Sequence, residues 1–204
     1  IHSHKPVRNT YERAMLLGHS RNDVHLSYLP LFHAYGFSEV AMMAGLTGGS
    51  QVLFDVFDPD EVLDAVESER GTVLHGFDSH WADLIRAQNQ RAREVSSLRV
   101  GTLPAGMEST IPTARLVQDV FCPTTSGFGM SESWAFIASS HVTDSVEQPT
   151  EASGYPMHGI EFQVRDLDSG EVVGVNEPGA LHVKGYTVMN GYWGKPEATA
   201  EVFD

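Results

Sequence analysis

Eight consecutive residues, Ser126-Gly127-Phe128-Gly129-Met130-Ser131-Glu132-Ser133, hold the densest chemistry in this chain. Gly127 and Gly129 let a backbone come close to a ligand. Phe128 offers a flat apolar face to a base. The Ser131 hydroxyl can donate to a phosphate oxygen, and the Glu132 carboxylate can hold a hard cation such as Mg²⁺ through oxygen. Together these groups suit work on a nucleotide. Taken alone, the stretch reads better as a strand end, a turn and a helix over 133–139, with Ser131 as cap and Glu132 favoured by the helix dipole. Companion segments at 29–36, 101–107 and 179–193 give the chemical reading its weight.

The elements that must position these segments follow an α/β rhythm. A helix capped by Asn9 runs to about 18. A strand at 25–29 ends at Pro30, and a helix at 37–46 is closed by Gly48-Gly49. A strand at 51–54 leads to a strong helix start, where Asp58 caps, Pro59 takes the first position and Glu61 completes a capping box. That helix stops at Gly71. Strands at 72–76, 98–103 and 124–128 alternate with helices at 79–93 and 111–121. The pattern predicts a mostly parallel sheet flanked by helices. Ligands of such sheets bind beyond the carboxyl ends of the strands, where the segments after Leu29, Thr102 and Ser126 fall. After a polar stretch at 139–153 the rhythm changes to short strands at 161–167, 171–173 and 179–184. These predict a small antiparallel β region or partial barrel. We therefore divide the chain into the end of a preceding subdomain (1–20), an α/β subdomain carrying the cleft (21–145) and a truncated β-rich subdomain (146–204).

Composition narrows the partners. A hydrophobic share of 41% with 20% charged residues is that of a globular protein. The formal net charge of −14, with no Lys/Arg cluster, argues against nucleic acid or an anionic membrane as partner. The longest apolar run, 40–46, is too short to span a bilayer. Cys122 is the only cysteine, so a disulfide framework within the chain is excluded and a reducing, cytoplasmic setting is expected. The chain starts at Ile1, not Met, and ends within a patterned segment, so we expect an internal piece of a longer protein.

Four segments in order resemble the adenylate-forming enzymes: acyl-CoA synthetases, firefly luciferase and peptide-synthetase adenylation domains. Gly127-Phe128-Gly129-Met130-Ser131-Glu132 is similar to that family's Tyr-Gly-x-Thr-Glu motif. Leu29-Pro30-Leu31-Phe32-His33-Ala34-Tyr35-Gly36 resembles its Leu-Pro-x-x-His-x-x-Gly segment. Gly179-Ala180-Leu181-His182-Val183-Lys184-Gly185, running on to Gly191-Tyr192-Trp193, resembles its Gly-Glu-Leu-x-x-x-Gly…Gly-Tyr-Trp stretch. Ile1-His2-Ser3-His4 resembles the residues that follow its phosphate loop. The resemblance implies roles. Glu132 would bind Mg²⁺ on ATP, and Ser131 would contact the α-phosphate. Phe128 would stack on adenine beside Gly127 and Gly129, with Ala105 and Gly106 on the other side. Ser126, Gly127 and Met130 would border the acyl group, His75 to Asp78 would lie on the acyl pocket wall, and His33 would gate the channel. The reaction implied is activation of a small-molecule carboxylic acid by ATP to an acyl-adenylate, then transfer to coenzyme A. The alternatives are transfer to a carrier-protein thiol, or a non-catalytic relative that binds a nucleotide or acyl group. Met130 favours the coenzyme A branch, because adenylation domains of peptide synthetases usually carry Pro there.

Departures and bland readings stand beside these roles. Ala180 replaces the family's Glu, Phe128 lacks the phenol hydroxyl, and 104–107 matches its motif only loosely. The family's phosphate loop would precede Ile1, and its ribose-binding Asp and catalytic Lys would follow 204, so these 204 residues alone are not expected to turn over substrate. The ten histidines form no zincin-type pair or Cys/His cluster and read as scattered core or surface residues. Trp81 and Leu84 fall at helical spacing and read as core. Tyr192-Trp193 reads as packing for the small β region.

Overall fold

The computed structural model describes residues 1–203. Its centre is a five-stranded parallel sheet of β1 (Val24–Ser27), β2 (Ser50–Leu53), β3 (Val73–His75), β4 (Val100–Thr102) and β5 (Thr124–Thr125), in the order β2-β1-β3-β4-β5. The inner strands β3 and β4 are covered on both faces. All three residues of β3 and of β4 are buried, as the apolar runs require.

Strand order reverses after β2. The crossover connections place the helices in two groups. On one face α1 (Lys5–Leu16) packs on a π-helix (Tyr35–Met42) that runs directly into α2 (Met43–Thr47). On the other lie α3 (Pro59–Ser68), α4 (Asp78–Gln90) and α5 (Ile111–Val120), packed in series. The main core joins Leu26, Leu63, Leu74, Trp81, Leu84 and Leu103. The reversal leaves a crevice beyond the carboxyl ends of β1 and β3, the usual ligand position in an open α/β sheet.

Several helix ends differ from the sequence reading. Asn9 does not cap α1, which begins at Lys5 with Pro6 in its first turn. Its side chain is buried instead, and Nδ2 donates to Phe136 O at 2.7 Å. Asp58 does cap α3, its Oδ1 accepting from the amides of Asp60 and Glu61, but Glu61 makes no return bond among the described residues. The helix expected at 37–46 is mostly π-wound, and ends at Gly48 in the left-handed region (φ 77°).

The largest correction concerns 133–139, which is not helical. After β6 (Gly129–Met130) comes a single 3₁₀ turn (Ser131–Ser133), then β7 (Ala135–Phe136) and β8 (Ala138–Ser139). β6 and β7 form a tight hairpin, and β8 pairs with β9 (Tyr155–Pro156). The reversal places Trp134 (φ 65°) and Ala135 (φ 59°) in the left-handed region, which costs each residue on the order of 1 kcal/mol. Packing holds it there: the Trp134 ring meets Phe37 and His2 edge-on at 5.8 and 5.3 Å. Beyond the short α6 (Glu147–Glu151), β10 (Ile160–Arg165) and β11 (Ala180–Gly185) make an antiparallel pair, followed by α7 (Pro196–Ala200). The strand expected at 171–173 is reduced to one bridge between Arg165 and Val172.

Candidate functional site

Three strand-end segments converge in the crevice. After β1 comes His33, after β4 Pro104 to Met107, and after β5 the hairpin at 127–136. They enclose a cavity of about 580 Å³, lined among others by Tyr35, Phe77, Ala105, Phe128 and Phe136. A second cavity of about 370 Å³ lies beside it, lined by His2, Phe32, Phe37, Glu132, Trp134 and Tyr192. His33, Ala34 and Ser131 border both, so they stand at the junction.

The first cavity is aromatic and free of formal charge: none of its lining residues is Asp, Glu, Lys or Arg. Tyr35 meets Phe77 and Phe136 edge-to-face at 5.1 and 5.0 Å, geometry that adds to burial alone. The Tyr35 hydroxyl donates to Thr102 O at 3.0 Å, which ties this wall to β4. At the rim, His33 Nδ1 accepts from the Tyr35 amide at 3.1 Å, fixing the imidazole at the start of the π-helix.

The reactive loop is held by the hairpin. A Cβ on Gly129 would stand 1.5 Å from Ala135 O, so only glycine fits this approach. Ser133 closes the turn, its Oγ accepting from Met130 N at 3.3 Å. His2 Nε2 is 2.7 Å from Ser131 O. The Ser131 hydroxyl is exposed and has no hydrogen-bond partner among the described residues. Glu132 is half-buried, and its Oε1 accepts from the Tyr192 hydroxyl at 2.6 Å. That bond, helped by the loop backbone and by His2, holds the carboxyl below its ordinary range, so it is ionised at neutral pH.

Most residues singled out from sequence meet at these cavities: His33, Ala105, Gly127, Phe128, Gly129, Met130, Ser131 and Glu132. Three do not line either one. Gly106 is exposed, with φ 109°, between two lining residues. Ser126 is fully buried and ties the strand ends together, accepting from Ala105 N at 2.9 Å. His75 stands behind the Tyr35 wall, 6.4 Å from that ring, and belongs to a sealed group with His19 and His25. Burial lowers its pKa well below the usual value, so it is neutral. Phe77, within the same expected stretch 75–78, lines the first cavity where His75 does not. Sequence reasoning missed Tyr192 as a partner of Glu132, because nothing local links residues 60 apart.

The fold is shared with solved adenylate-forming enzymes. The ATP-bound RpMatB-BxBclM chimera B1 superposes on 100% of this chain with a TM-score of 0.87 at 23% identity, the match covering 40% of that chain. O-succinylbenzoate coenzyme A synthetase from Bacillus subtilis, in complex with ATP and magnesium ion, superposes with a TM-score of 0.83 at 25% identity, over 100% of this chain and 41% of that one. Among curated proteins, a feruloyl-CoA synthase of an Amycolatopsis species is 34% identical over 176 residues, covering 85% of this chain and 35% of that protein. The acyl-CoA ligase sidI of Aspergillus fumigatus is 30% identical over 175 residues, covering 84% and 29%. The chain thus spans about a third of the length of the curated relatives it matches. No helix among the described residues is long and apolar enough to cross a membrane. The family model described as AMP-binding enzyme matches residues 1–193, nearly the whole sequence, and this chain is a member of that family.

Proposed function

We propose that the protein this chain belongs to activates a carboxylic acid with ATP and passes the acyl group to coenzyme A. In the first step a carboxylate oxygen attacks the α-phosphorus and pyrophosphate leaves. In the second the thiol sulfur attacks the acyl carbon and AMP leaves. The observation that carries this reading is the junction itself: an exposed Ser131 hydroxyl stands where an uncharged aromatic cavity meets a second one that the ionised Glu132 lines.

Phe128, flanked by Gly127 and Gly129, and the Ala105-Gly106 strand end take the adenine. Ser131 donates to the α-phosphate, and His33 gates the mouth of the acyl or thiol channel. Gly127, Met130 and Phe77 border the acyl group, with Ser126 and His75 supporting that wall from behind. Because the cavity offers no charged partner, an acid with an uncharged apolar or aryl tail fits it; a second carboxylate would be buried unpaired. The substrate carboxylate is ionised at neutral pH and needs no general base.

Glu132 is the residue that would hold Mg²⁺. No group of three or more His, Cys, Asp or Glu among the described residues could cage a metal. A single ionised carboxylate suits Mg²⁺, which keeps several waters and takes further oxygens from substrate phosphates. When bound, the ion supplies neutralisation of phosphate charge.

The test is carboxylate-dependent ATP–pyrophosphate exchange by the full-length protein its gene encodes, across short, long and aryl acids. Exchange that needs one acid class, and that falls at least ~100-fold in Glu132→Ala, supports the reading. A folded protein that binds ATP but exchanges with no acid would leave a nucleotide-binding module instead.

A further inference from the structure

The roles above leave Tyr192 unassigned, although its position is the most firmly built around the reactive loop. Its hydroxyl donates to Glu132 Oε1 at 2.6 Å across 60 residues of sequence. The same segment grips the Glu132 main chain, with Met189 N donating to Glu132 O at 2.7 Å. Tyr192 is itself anchored. Its amide donates to Thr199 Oγ1 at 2.9 Å, and that hydroxyl donates to Lys195 O at 2.8 Å, at the start of α7. Gly191, with φ 138°, lets the backbone lie against Thr199, since a Cβ there would stand 2.7 Å from Thr199 Cγ2. The phenol therefore reaches Glu132 from a fixed support.

A carboxylate has two oxygens, and here they differ. Oε1 is occupied by Tyr192, while Oε2 accepts from no other side chain among the described residues. Both residues line the 370 Å³ cavity, and they meet again in the lining of a neighbouring one of about 360 Å³. A glutamate without such a tether samples several rotamers and loses entropy when it is fixed on a ligand.

We infer that Tyr192 is a positioning residue: it ties one oxygen of Glu132 so that the other is presented, already oriented, to a divalent cation arriving with the nucleotide. This rests on Glu132 being the cation ligand, as proposed above. It also gives the Gly191-Tyr192 segment a task beyond packing the β-rich region. A plain structural cross-link would register in stability and leave metal demand untouched.

The experiment compares Tyr192→Phe, Glu132→Gln and the double variant in the full-length protein its gene encodes. ATP affinity is measured by calorimetry over a series of free Mg²⁺ concentrations, and thermal unfolding is followed alongside. In Tyr192→Phe the Mg²⁺ needed for half the gain in ATP affinity should rise roughly tenfold, the size of one lost hydrogen bond to a charged group. Affinity without Mg²⁺ should hold, and Tyr192→Phe should add nothing in the Glu132→Gln background. If Glu132→Gln raises the Mg²⁺ demand and Tyr192→Phe does not, the inference fails while the ligand reading stands. If the two effects add, Tyr192 acts independently of Glu132 and the inference also fails. If Glu132→Gln leaves the Mg²⁺ demand unchanged, the ligand reading fails and takes the inference with it.

Discussion

Beside the cavity junction a single carboxylate, Glu132, stands half-buried in a lining that it shares with two imidazoles, His2 and His33. Where α1 and the π-helix meet the sheet, the ionisable groups are denser and sealed. Arg13 and Glu39 form a fully buried ion pair, and Arg13 also lies over the Phe136 ring at 4.4 Å. Nearby, the rings of His19, His25 and His75 lie within 4.9 to 6.5 Å of one another, and the ring nitrogens of His25 and His75 have no hydrogen-bond partner among the described residues. Asp23 closes the edge of this group. Burial alone would raise its pKa, but Arg99, the Ser20 amide and the Thr72 hydroxyl outweigh that and hold it well below the usual range. A count of titratable groups would thus pick the wrong cluster. What separates the two is access: the junction opens on cavities, while the second group is shut behind the wall that Tyr35 makes.

The contrast can be broken most forcefully from the sealed side. Glu39→Leu leaves Arg13 charged and unpaired in the interior, which should cost about 3–5 kcal/mol, while Arg13→Met combined with Glu39→Leu should recover most of it. Chemical denaturation reads both. Equal losses in the single and double variants would show that the pair does not act as a unit. At the junction the expectation inverts. Glu132→Ala should lower exchange by ~100-fold or more, or about 3 kcal/mol of barrier, with the denaturation midpoint held. A drop in midpoint as large as that of Glu39→Leu would make Glu132 part of the scaffold.

Acid sharpens the comparison further. Burial lowers His19 to about 3 and His25 to about 4. Unfolded histidine titrates near 6.5, so below that pH the unfolded chain takes up protons that the folded chain refuses. Stability is therefore fully present above pH ~6.5. It falls as pH drops through the window down to the folded values, by about 1.4 kcal/mol per pH unit for each histidine. Denaturation midpoints at pH 7, 6 and 5 should decline in that order and recover in part in His25→Asn; a flat profile would contradict neutral burial. The smallest effect belongs to a site remote from both clusters. Asp58→Ala removes the cap of α3 and should cost about 1 kcal/mol, with exchange unchanged.

How much of this was legible in the sequence follows from where the information lies. The parallel strands could be read because burial on both faces forces short apolar runs between turn residues, as at Val73–His75 and Val100–Thr102. Strand ends then pointed to the crevice, and eight of the eleven residues named for the site line its two cavities. Failures came where a tertiary partner decides. The run at 133–139 suits helix or strand, and pairing of Met130 with Ala135 and of Ala138 with Pro156 decides for strand. Asn9 has the right type for a cap but is spent on Phe136 O, and one end of its side chain also accepts from the Tyr186 hydroxyl at 3.3 Å. The Glu132–Tyr192 bond has no local signal at all. A long-range hydrogen bond between two ordinary side chains leaves no periodicity to read.

The π-winding of 35–42 has a consequence for how this protein can change over generations. A π-turn holds more residues than an α-turn, so the segment carries surplus length that continues without a break into α2. Losing one residue there would let the segment rewind as an ordinary α-helix while the residues on either side keep their facing, so the Tyr35 wall and the start of α2 could survive a single-codon deletion. The same loss in α1 or α4, which are α-wound and hold no surplus, would turn one end of the helix by about 100° against the other. The helix beside the cavity is thus the one whose length can change most cheaply.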